Sequence, residues 1–148
     1  MQVAIEKAKQ VGTGWVAVQN SNHFGIAGFH AMMALEHDMI GIAMTNASAL
    51  VAPTFSIEKM LGTNPIAVAI PSKEEPPFVA DFATTTAANG KLEILQRKNE
   101  PVPDGWIQDS EGKICNDAAA LKKGGALLPL GSEHRSLRTF LNSRSFWY

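Results

Sequence analysis

The sequence predicts an α/β fold, and three observations support that prediction. Short apolar segments of strand length alternate with helical segments, an order typical of sheets covered by helices. Hydrophobic residues make up 45% of the 148 residues, as is normal for a protein that buries a core. Cys115 is the single cysteine, so an intrachain disulfide framework and a cysteine-based metal cluster are both excluded as alternative sources of stability.

The composition also narrows the classes of partner. Thirteen basic and 14 acidic residues give a formal net charge of −1, so the composition shows no excess of positive charge that would attract nucleic acid or an anionic membrane. The first ten residues lack the basic-then-apolar order of a signal peptide, and no apolar run reaches the ~18 residues of a membrane span. We therefore expect no nucleic acid partner, no membrane partner and a cytoplasmic location.

Two helices and two strands are predicted in the first 44 residues. They are, in chain order, helix 3–10, strand 15–19, helix 25–36 and strand 40–44. Gly12 and Gly14 end the first helix, and the polar run 20–22 provides caps for the second. The order strand, helix, strand predicts a crossover connection within one sheet.

The remaining chain up to Gly131 predicts further strands and helices around irregular stretches. The elements are strands 66–70 and 78–82, helix 84–98, a loop or hairpin over 99–116, and a short helix over 117–123. Asn89-Gly90 weakens the middle of the longer helix, because both residues are poor helix formers. Asp117 is the predicted cap of the short helix.

His23 is the main candidate for acid–base chemistry. It lies at a junction between a predicted strand and a predicted helix, in the first turn of that helix, and ligands of open α/β sheets usually bind at such junctions. A histidine there can accept a proton from an alcohol or return one to a ketone. The alternative from these residues alone is a capped helix whose histidine only packs or faces water.

A metal site at the histidines is not expected. His23, His30 and His37 are spaced by sevens. In a helix this spacing separates neighbours by about 10 Å, whereas ligands of one zinc ion each lie ~2 Å from the metal. We therefore predict no metal.

A second strand-to-helix junction carries Asp81 and three threonines at 84–86. Hydroxyls and unpaired N–H groups at a helix start can hold a phosphate or a ribose, although threonine is also an ordinary cap. Residues 62–65 have the composition of a turn, for which a structural role is the default. The sequence contains no G-x-G-x-x-G after a strand, no Walker A motif and no G-x-S-x-G elbow.

Four segments together match the motifs of a known family in order and in spacing. They are Ser21-Asn22-His23-Phe24-Gly25-Ile26-Ala27-Gly28, Thr45-Asn46 with Val51-Ala52-Pro53, Met60-Leu61-Gly62-Thr63-Asn64-Pro65-Ile66-Ala67, and Asp81-Phe82-Ala83-Thr84-Thr85. From about residue 12 to residue 131 the sequence thereby resembles the malate/L-lactate dehydrogenase family. The resemblance implies an incomplete, non-Rossmann NAD(P)-binding fold. It also implies NAD or NADP as cofactor, a small 2-oxo or 2-hydroxy acid such as malate or lactate as substrate, and a homodimer if the chain is intact.

The resemblance also implies roles for single residues. His23 matches the acid–base histidine of the family. The implied cofactor contacts are Ala47, Asp81, Phe82, Ala83 and Thr84, and the implied lining of the same region is Asn46, Thr63 and Asn64. Hydride would move between C4 of the nicotinamide and C2 of the acid, while His23 donates the proton to the developing alkoxide or accepts it in the oxidative direction.

The chain departs from the family pattern at both ends. It lacks the upstream region in which the family carries a Ser-His-Gly segment and an arginine suited to a substrate carboxylate. After Gly131 both motif and periodicity are lost. We therefore expect residues 1–131 to be a partial NAD(P)-binding dehydrogenase domain and residues 132–148 to be a divergent tail from a reading-frame shift or a gene-model error. Asn89 stands where the family more often has arginine, which removes one phosphate contact.

Three functional interpretations remain open from the sequence. The first is an oxidoreductase piece that keeps the family chemistry. The second is a catalytically inactive fragment that acts as a cofactor-binding or dimerising module, which the absence of the substrate arginine favours. The third is a non-functional gene product. Oxidation of NAD(P)H with a 2-oxo acid separates the first from the others, and cofactor binding without turnover separates the second from the third.

Overall fold

The computed structural model describes residues 1–131, which form two compact units. Unit 1 contains residues 1–45 and 65–82, and unit 2 contains residues 46–64 and the described residues from 83 onward. The predicted tail, 132–148, lies outside the described residues. The assignment of 1–131 to one partial domain stays a prediction.

Unit 1 begins with helix α1, Gln2–Val11, which confirms the predicted helix. The helix ends at Gly12, whose φ of 86° places it in the left-handed region that glycine adopts without strain. The N–H of Gly12 donates to the carbonyl of Ala8. A Cβ on Gly14 would overlap the carbonyl oxygen of Ala4, so the chain after the helix lies close against it.

Three strands of unit 1 form one antiparallel sheet in the order β1-β2-β3. They are β1 (Gly41–Met44), β2 (Ile66–Ile70) and β3 (Phe78–Phe82), each of which the apolar patterning predicted. The predicted strand 15–19 is wrong: these residues are in no strand of the described chain, and the Trp15 side chain is 75% exposed. Without that strand the expected crossover is not formed, and the sheet is antiparallel instead.

One face of this sheet is covered by α2, Ala27–Met32, which is shorter than the predicted helix and is followed by a 3-10 turn, Leu35–His37. Ile26, and not the polar run 20–22, occupies its N-cap. The buried core between helix and sheet consists of alanines, Ala27, Ala31, Ala67 and Ala69. A Cβ on Gly41 would overlap the carbonyl oxygen of Ala31, so the helix backbone touches the sheet almost directly.

The opposite face of the same sheet is entirely apolar. Side chains alternate between the faces of a strand, and the register therefore places eight residues on this face: Ile42, Met44, Ile66, Val68, Ile70, Phe78, Ala80 and Phe82. Four of them, on all three strands, are exposed large hydrophobics: Ile42, Met44, Ile70 and Phe78. We refer to these eight residues as the apolar face.

Unit 2 contains a second antiparallel sheet in the order β5-β4-β6. Its strands are β4 (Ile107–Gln108), β5 (Ile114–Cys115) and β6 (Ala126–Leu127). The first two pair as the hairpin predicted within 99–116. The core of the unit is built from large side chains, chiefly Val51, Leu92, Val102, Ile107 and Leu127.

Helix α3 spans Asn89–Lys98, so the helix predicted from residue 84 begins five residues later than expected. The pair Asn89-Gly90 opens this helix and does not interrupt it. A 3-10 turn, Ala120–Lys123, replaces the predicted short helix, and the carboxylate of Asp117 accepts the N–H of Ala119 at 2.8 Å. None of the helices within residues 1–131 has the length and apolar character needed to cross a bilayer.

Candidate active site

His23 lies in an irregular segment of unit 1, four residues before the first residue of α2, and not in a helical turn as predicted. Its side chain is exposed. The backbone N–H of Gly25 donates to Nδ1 of His23 at 3.1 Å, and Gly25 has a φ of 84°. Because Nδ1 accepts this hydrogen bond, the neutral ring carries its proton on Nε2.

This hydrogen bond has a consequence for proton transfer by His23. In the observed arrangement Nε2–H can donate a hydrogen bond to a substrate oxygen. A ring that gives up its Nε2 proton and stays neutral must carry a proton on Nδ1, where Gly25 now donates. Proton transfer through Nε2 therefore requires that the contact between Gly25 and His23 opens.

His30, on α2, holds the residue next to His23. Its Nε2 lies 3.0 Å from the carbonyl oxygen of Phe24, and since a carbonyl can only accept, Nε2–H of His30 is the donor. The rings of Phe24 and His30 are stacked, with centroids 5.0 Å apart and an interplanar angle of 11°. Phe29 packs edge-on against the same imidazole at 5.4 Å.

Asp81 joins strand β3 to the beginning of α2. Its Oδ2 accepts the backbone N–H of Gly28 at 2.7 Å, and Gly28 is the second residue of the helix. The first N–H groups of a helix have no partner within it, so a carboxylate there satisfies a donor and lies at the positive end of the helix dipole. A Cβ on Gly28 would lie 2.7 Å from the same oxygen, so a larger residue at this position would displace the Asp81 carboxylate.

In unit 2, the turn 62–64 holds two of the predicted cofactor contacts. Thr84 donates both its backbone N–H and its hydroxyl to the carbonyl of Thr63, at 2.9 and 3.1 Å. The side-chain oxygen of Asn64 accepts the N–H of Ala47 at 3.0 Å. A Cβ on Gly62 would overlap both the carbonyl oxygen of Ala47 and that side-chain oxygen, which excludes any larger residue at this position.

The structure thus brings the predicted site residues together in two groups. Within unit 1, Asp81 contacts the helix start that follows the His23 segment, and Phe82 follows Asp81 on the other face of β3. Within unit 2, Ala47 and Thr84 contact adjacent residues of one turn, and Ala83 directly precedes Thr84.

Two contributions were missed or undervalued from the sequence. His30 was considered only as a metal ligand, and its place one turn into the helix after the His23 segment was the sole sequence signal for its contact with Phe24. The sequence predicted only a structural role for the turn 62–65. Its contacts with Ala47 and Thr84 join residues some twenty positions apart, which local sequence does not reveal.

The threonine cluster does not form the expected phosphate site at a helix start. The hydroxyls of all three residues donate to backbone carbonyls, Thr84 to Thr63, Thr85 to Ala87 and Thr86 to Pro129. No helix of the described chain begins before residue 89 in this segment. The geometry therefore favours a structural use of these hydroxyls.

The predicted cofactor contacts lie in both units, with Asp81 and Phe82 in unit 1 and Ala47, Ala83 and Thr84 in unit 2. The set combines an aromatic ring, two methyl side chains, one hydroxyl and one carboxylate, on Phe82, Ala47, Ala83, Thr84 and Asp81. Small and apolar groups suit the faces of a nicotinamide and its ribose. None of the five is a cation that would hold a phosphate, and the Thr84 hydroxyl and the Asp81 carboxylate already bond Thr63 and Gly28.

Comparison with known proteins identifies the family. The family model described as malate/L-lactate dehydrogenase matches residues 1–138. The malate dehydrogenase of Pyrococcus abyssi is 54% identical over 131 residues, which are 88% of this chain and 36% of the relative. The L-sulfolactate dehydrogenase of Methanocaldococcus jannaschii is 45% identical over 88% of this chain and 38% of its own length.

Solved structures agree with these relatives. The malate dehydrogenase from Entamoeba histolytica superimposes with a TM-score of 0.80 at 42% identity, covering 90% of this chain and 38% of that one. The chain thus spans well under half the length of the relatives it matches. Its mixed helix and sheet content agrees with the predicted α/β class. The motif resemblance is confirmed, and the chain belongs to the malate/L-lactate dehydrogenase family.

Proposed function

We propose that this chain is part of an oxidoreductase that transfers a hydride between NAD or NADP and a small 2-oxo or 2-hydroxy acid such as malate or lactate. One observation carries the proposal beyond family membership. His23 presents an exposed imidazole whose Nδ1 is occupied by the N–H of Gly25, while Nε2 has no hydrogen-bond partner among residues 1–131. In this resting arrangement Nε2–H is free to donate a hydrogen bond to a substrate oxygen, and proton exchange follows when the Gly25 contact opens.

In the proposed reaction the cofactor supplies the hydride for a 2-oxo acid or takes it from a 2-hydroxy acid. As the imidazolium, His23 would donate its Nε2 proton to the oxygen at C2 and be left neutral with its remaining proton on Nδ1, and in the oxidative direction that neutral ring would accept the proton at Nε2. The N–H of Gly25 leaves Nδ1 during this exchange, so that the neutral and protonated rings can interconvert. Holding substrate and cofactor in place supplies much of the rate.

The cofactor would contact residues 81–84 and Ala47. The braced turn 62–64 supports this assignment, because it fixes the backbone of Ala47 and Thr84. An antiparallel sheet in unit 1 and the lack of a G-x-G-x-x-G segment favour a non-Rossmann fold. A homodimer and a cytoplasmic location belong to the same proposal, and they rest on the resemblance and on the composition.

The direct test replaces His23 by Gln and measures NADH and NADPH oxidation with pyruvate, oxaloacetate and sulfopyruvate. Loss of general acid–base catalysis lowers kcat about 10²- to 10⁴-fold. Cofactor binding, measured as the upward shift of the thermal unfolding midpoint, stays unchanged. The matched control is His37→Gln, because His37 is also exposed in unit 1 but belongs to the 3-10 turn. An undiminished kcat in His23→Gln would refute the assignment.

A second candidate function is a cofactor-binding or dimerising module without turnover. The observation behind it is that the 131 matched residues cover only 36% and 38% of the relatives compared above. For this candidate NADH raises the unfolding midpoint of the wild-type chain while no 2-oxo acid is reduced. The absence of both a cooperative transition and cofactor binding would instead favour the non-functional interpretation.

A further inference from the structure

A series of contacts in unit 1 runs from strand β3 to His23. The Asp81 carboxylate holds the N–H of Gly28 at 2.7 Å, which fixes the beginning of α2. His30 lies two residues further along that helix, and its Nε2 reaches the carbonyl oxygen of Phe24 at 3.0 Å. Phe24 is the residue after His23, so this hydrogen bond holds the backbone next to the His23 ring.

We propose that His30 is a positioning residue for His23 and acts through the backbone of Phe24. The proposal rests on the proposed role of His23. It adds His30, which has no task in the proposed reaction. His30 does not touch substrate or cofactor in this scheme. It holds the segment 23–25 in the conformation in which the N–H of Gly25 reaches Nδ1 of His23.

The surroundings of His30 favour one orientation of its ring. It is stacked on Phe24 and contacted edge-on by Phe29, and it is half-buried. The carbonyl of Phe24 belongs to an irregular segment, where it has no helix or strand partner. A half-buried carbonyl without its donor is costly, so loss of the His30 bond favours other conformations of the segment.

Two substitutions of His30 separate the hydrogen bond from the ring. In His30→Gln the side-chain amide nitrogen lies near the place of Nε2 and keeps a donor for Phe24, whereas the ring is lost. In His30→Phe the ring and its stacking are kept, whereas the donor is lost. His37→Gln serves as the control, because it removes an exposed histidine of the same unit.

The primary readout is the tautomer of His23, followed by the NMR shifts of its ring nitrogens in the full 148-residue chain. The wild-type protein should show the Nε2–H form, because Nδ1 accepts from Gly25. We expect His30→Gln and the control to keep this signature. We expect His30→Phe to lose it, with the nitrogens of His23 averaging between both tautomers.

A purely structural role for His30 would not produce this pattern. An equal loss of stability in both variants with an unchanged His23 signature would overturn the proposal. So would loss of the signature in His30→Gln but not in His30→Phe. Should His30→Phe fail to unfold cooperatively, His30→Asn takes its place, since its shorter amide cannot reach Phe24, and an unchanged His23 signature in that variant would also overturn the proposal.

The NMR readout needs no turnover and is therefore independent of the proposed function. If the wild-type chain reduces no 2-oxo acid, the proposed function fails while the His23 signatures still decide the role of His30. Where turnover is measurable, His30→Phe should lower kcat about 10- to 100-fold with little change in KM, because the His30 bond to Phe24 keeps the His23 backbone in place while the Gly25 contact opens for proton transfer, and His30→Gln should keep most of the wild-type kcat.

Discussion

The two units bury their cores by different means. In unit 2 large side chains, among them Leu92, Ile107 and Leu127, fill the interior. In unit 1 the buried residues between helix and sheet are alanines, with larger side chains such as Leu35 and Val79 only partly buried against them, and a single added Cβ at Gly41 would overlap the carbonyl of Ala31. Burial of area therefore stabilises unit 2, whereas unit 1 depends on close backbone approach and on specific hydrogen bonds.

This difference bears on where the proposed chemistry lies. His23 and Asp81 both belong to unit 1, in which α2 and the sheet are closely packed, although His23 itself is exposed in the segment before α2. The same unit exposes its apolar face on the other side of the sheet. An exposed patch of that kind marks a surface used for binding or one prone to aggregation.

The largest expected effect comes from the side-chain core of unit 2. Ile107→Ala removes a fully buried side chain and should lower the free energy of unfolding by about 2–5 kcal/mol, because it leaves a cavity. Urea unfolding followed by circular dichroism measures this loss. Ile114→Ala is the matched control, since Ile114 lies on the paired strand β5 and is 52% exposed. Equal losses in the two variants would contradict the assignment of the core.

The alanine core of unit 1 should be destabilised by adding atoms, whereas the core of unit 2 is destabilised by removing them. Gly41→Ala adds one methyl group where the carbonyl of Ala31 already lies, and we expect a loss of about 1–3 kcal/mol. The control is Gly90→Ala, because a Cβ there meets nothing within 4 Å and the site is helical. That variant should be neutral or stabilised by about 0.4–1 kcal/mol. A Gly41→Ala protein as stable as the wild type would show that helix and sheet are less closely packed.

A smaller effect is expected at the hydrogen bond that anchors α2. Asp81→Ala leaves the N–H of Gly28 without an acceptor and should cost about 0.5–2 kcal/mol, as for other helix caps. Asp81→Asn keeps an acceptor of the same reach and should retain most of the stability. Thermal unfolding of both variants provides the measurement. If both lose stability equally, the charge and not the hydrogen bond is what matters.

The smallest effect concerns pH and the exposed Asp117 of unit 2. The hydrogen bond from Lys123, and then the N–H of Ala119, lowers the pKa of Asp117 below its usual value. A carboxyl whose pKa is lower in the folded state contributes stability above its unfolded pKa of about 3.9, and the contribution is lost as the pH falls through the folded pKa. Asp117→Asn should remove this small acid-side slope from urea unfolding measured at several pH values. An unchanged slope would show that other carboxylates produce it.

The sequence predicted a strand of unit 1 correctly where a local apolar run is sufficient to define it. Residues 66–70 and 78–82 were placed at their observed bounds, because these apolar runs are bounded by turn residues. Residues 15–19 have the same composition but are in no strand of the described chain, and a strand requires a partner as well as propensity. Helix α3 starts late because Thr84 and Thr85 donate to backbone carbonyls in place of helical contacts.

The site was predictable to a similar degree. The motif order predicted both the family, which the comparison confirms, and His23 and the segment 81–84 as site residues, which stay a prediction. The contacts that hold them could not be derived in the same way. The bond from His30 to Phe24 depends on where α2 begins, and the bond from Thr84 to Thr63 joins residues 21 positions apart. Both depend on tertiary packing that local patterning does not encode.

The tight glycines also determine which mutations this gene can tolerate. At Gly41 and Gly62 a Cβ would overlap backbone oxygen atoms, and at Gly28 it would press on the carboxylate that caps the helix. Every amino acid that a single base change can produce from a glycine codon carries a Cβ. No missense mutation at these three codons is conservative, whereas substitutions at the Gly90 codon should be tolerated, because a Cβ there meets nothing within 4 Å. Variation among natural copies of this gene should therefore be absent at the first three positions and present at the fourth.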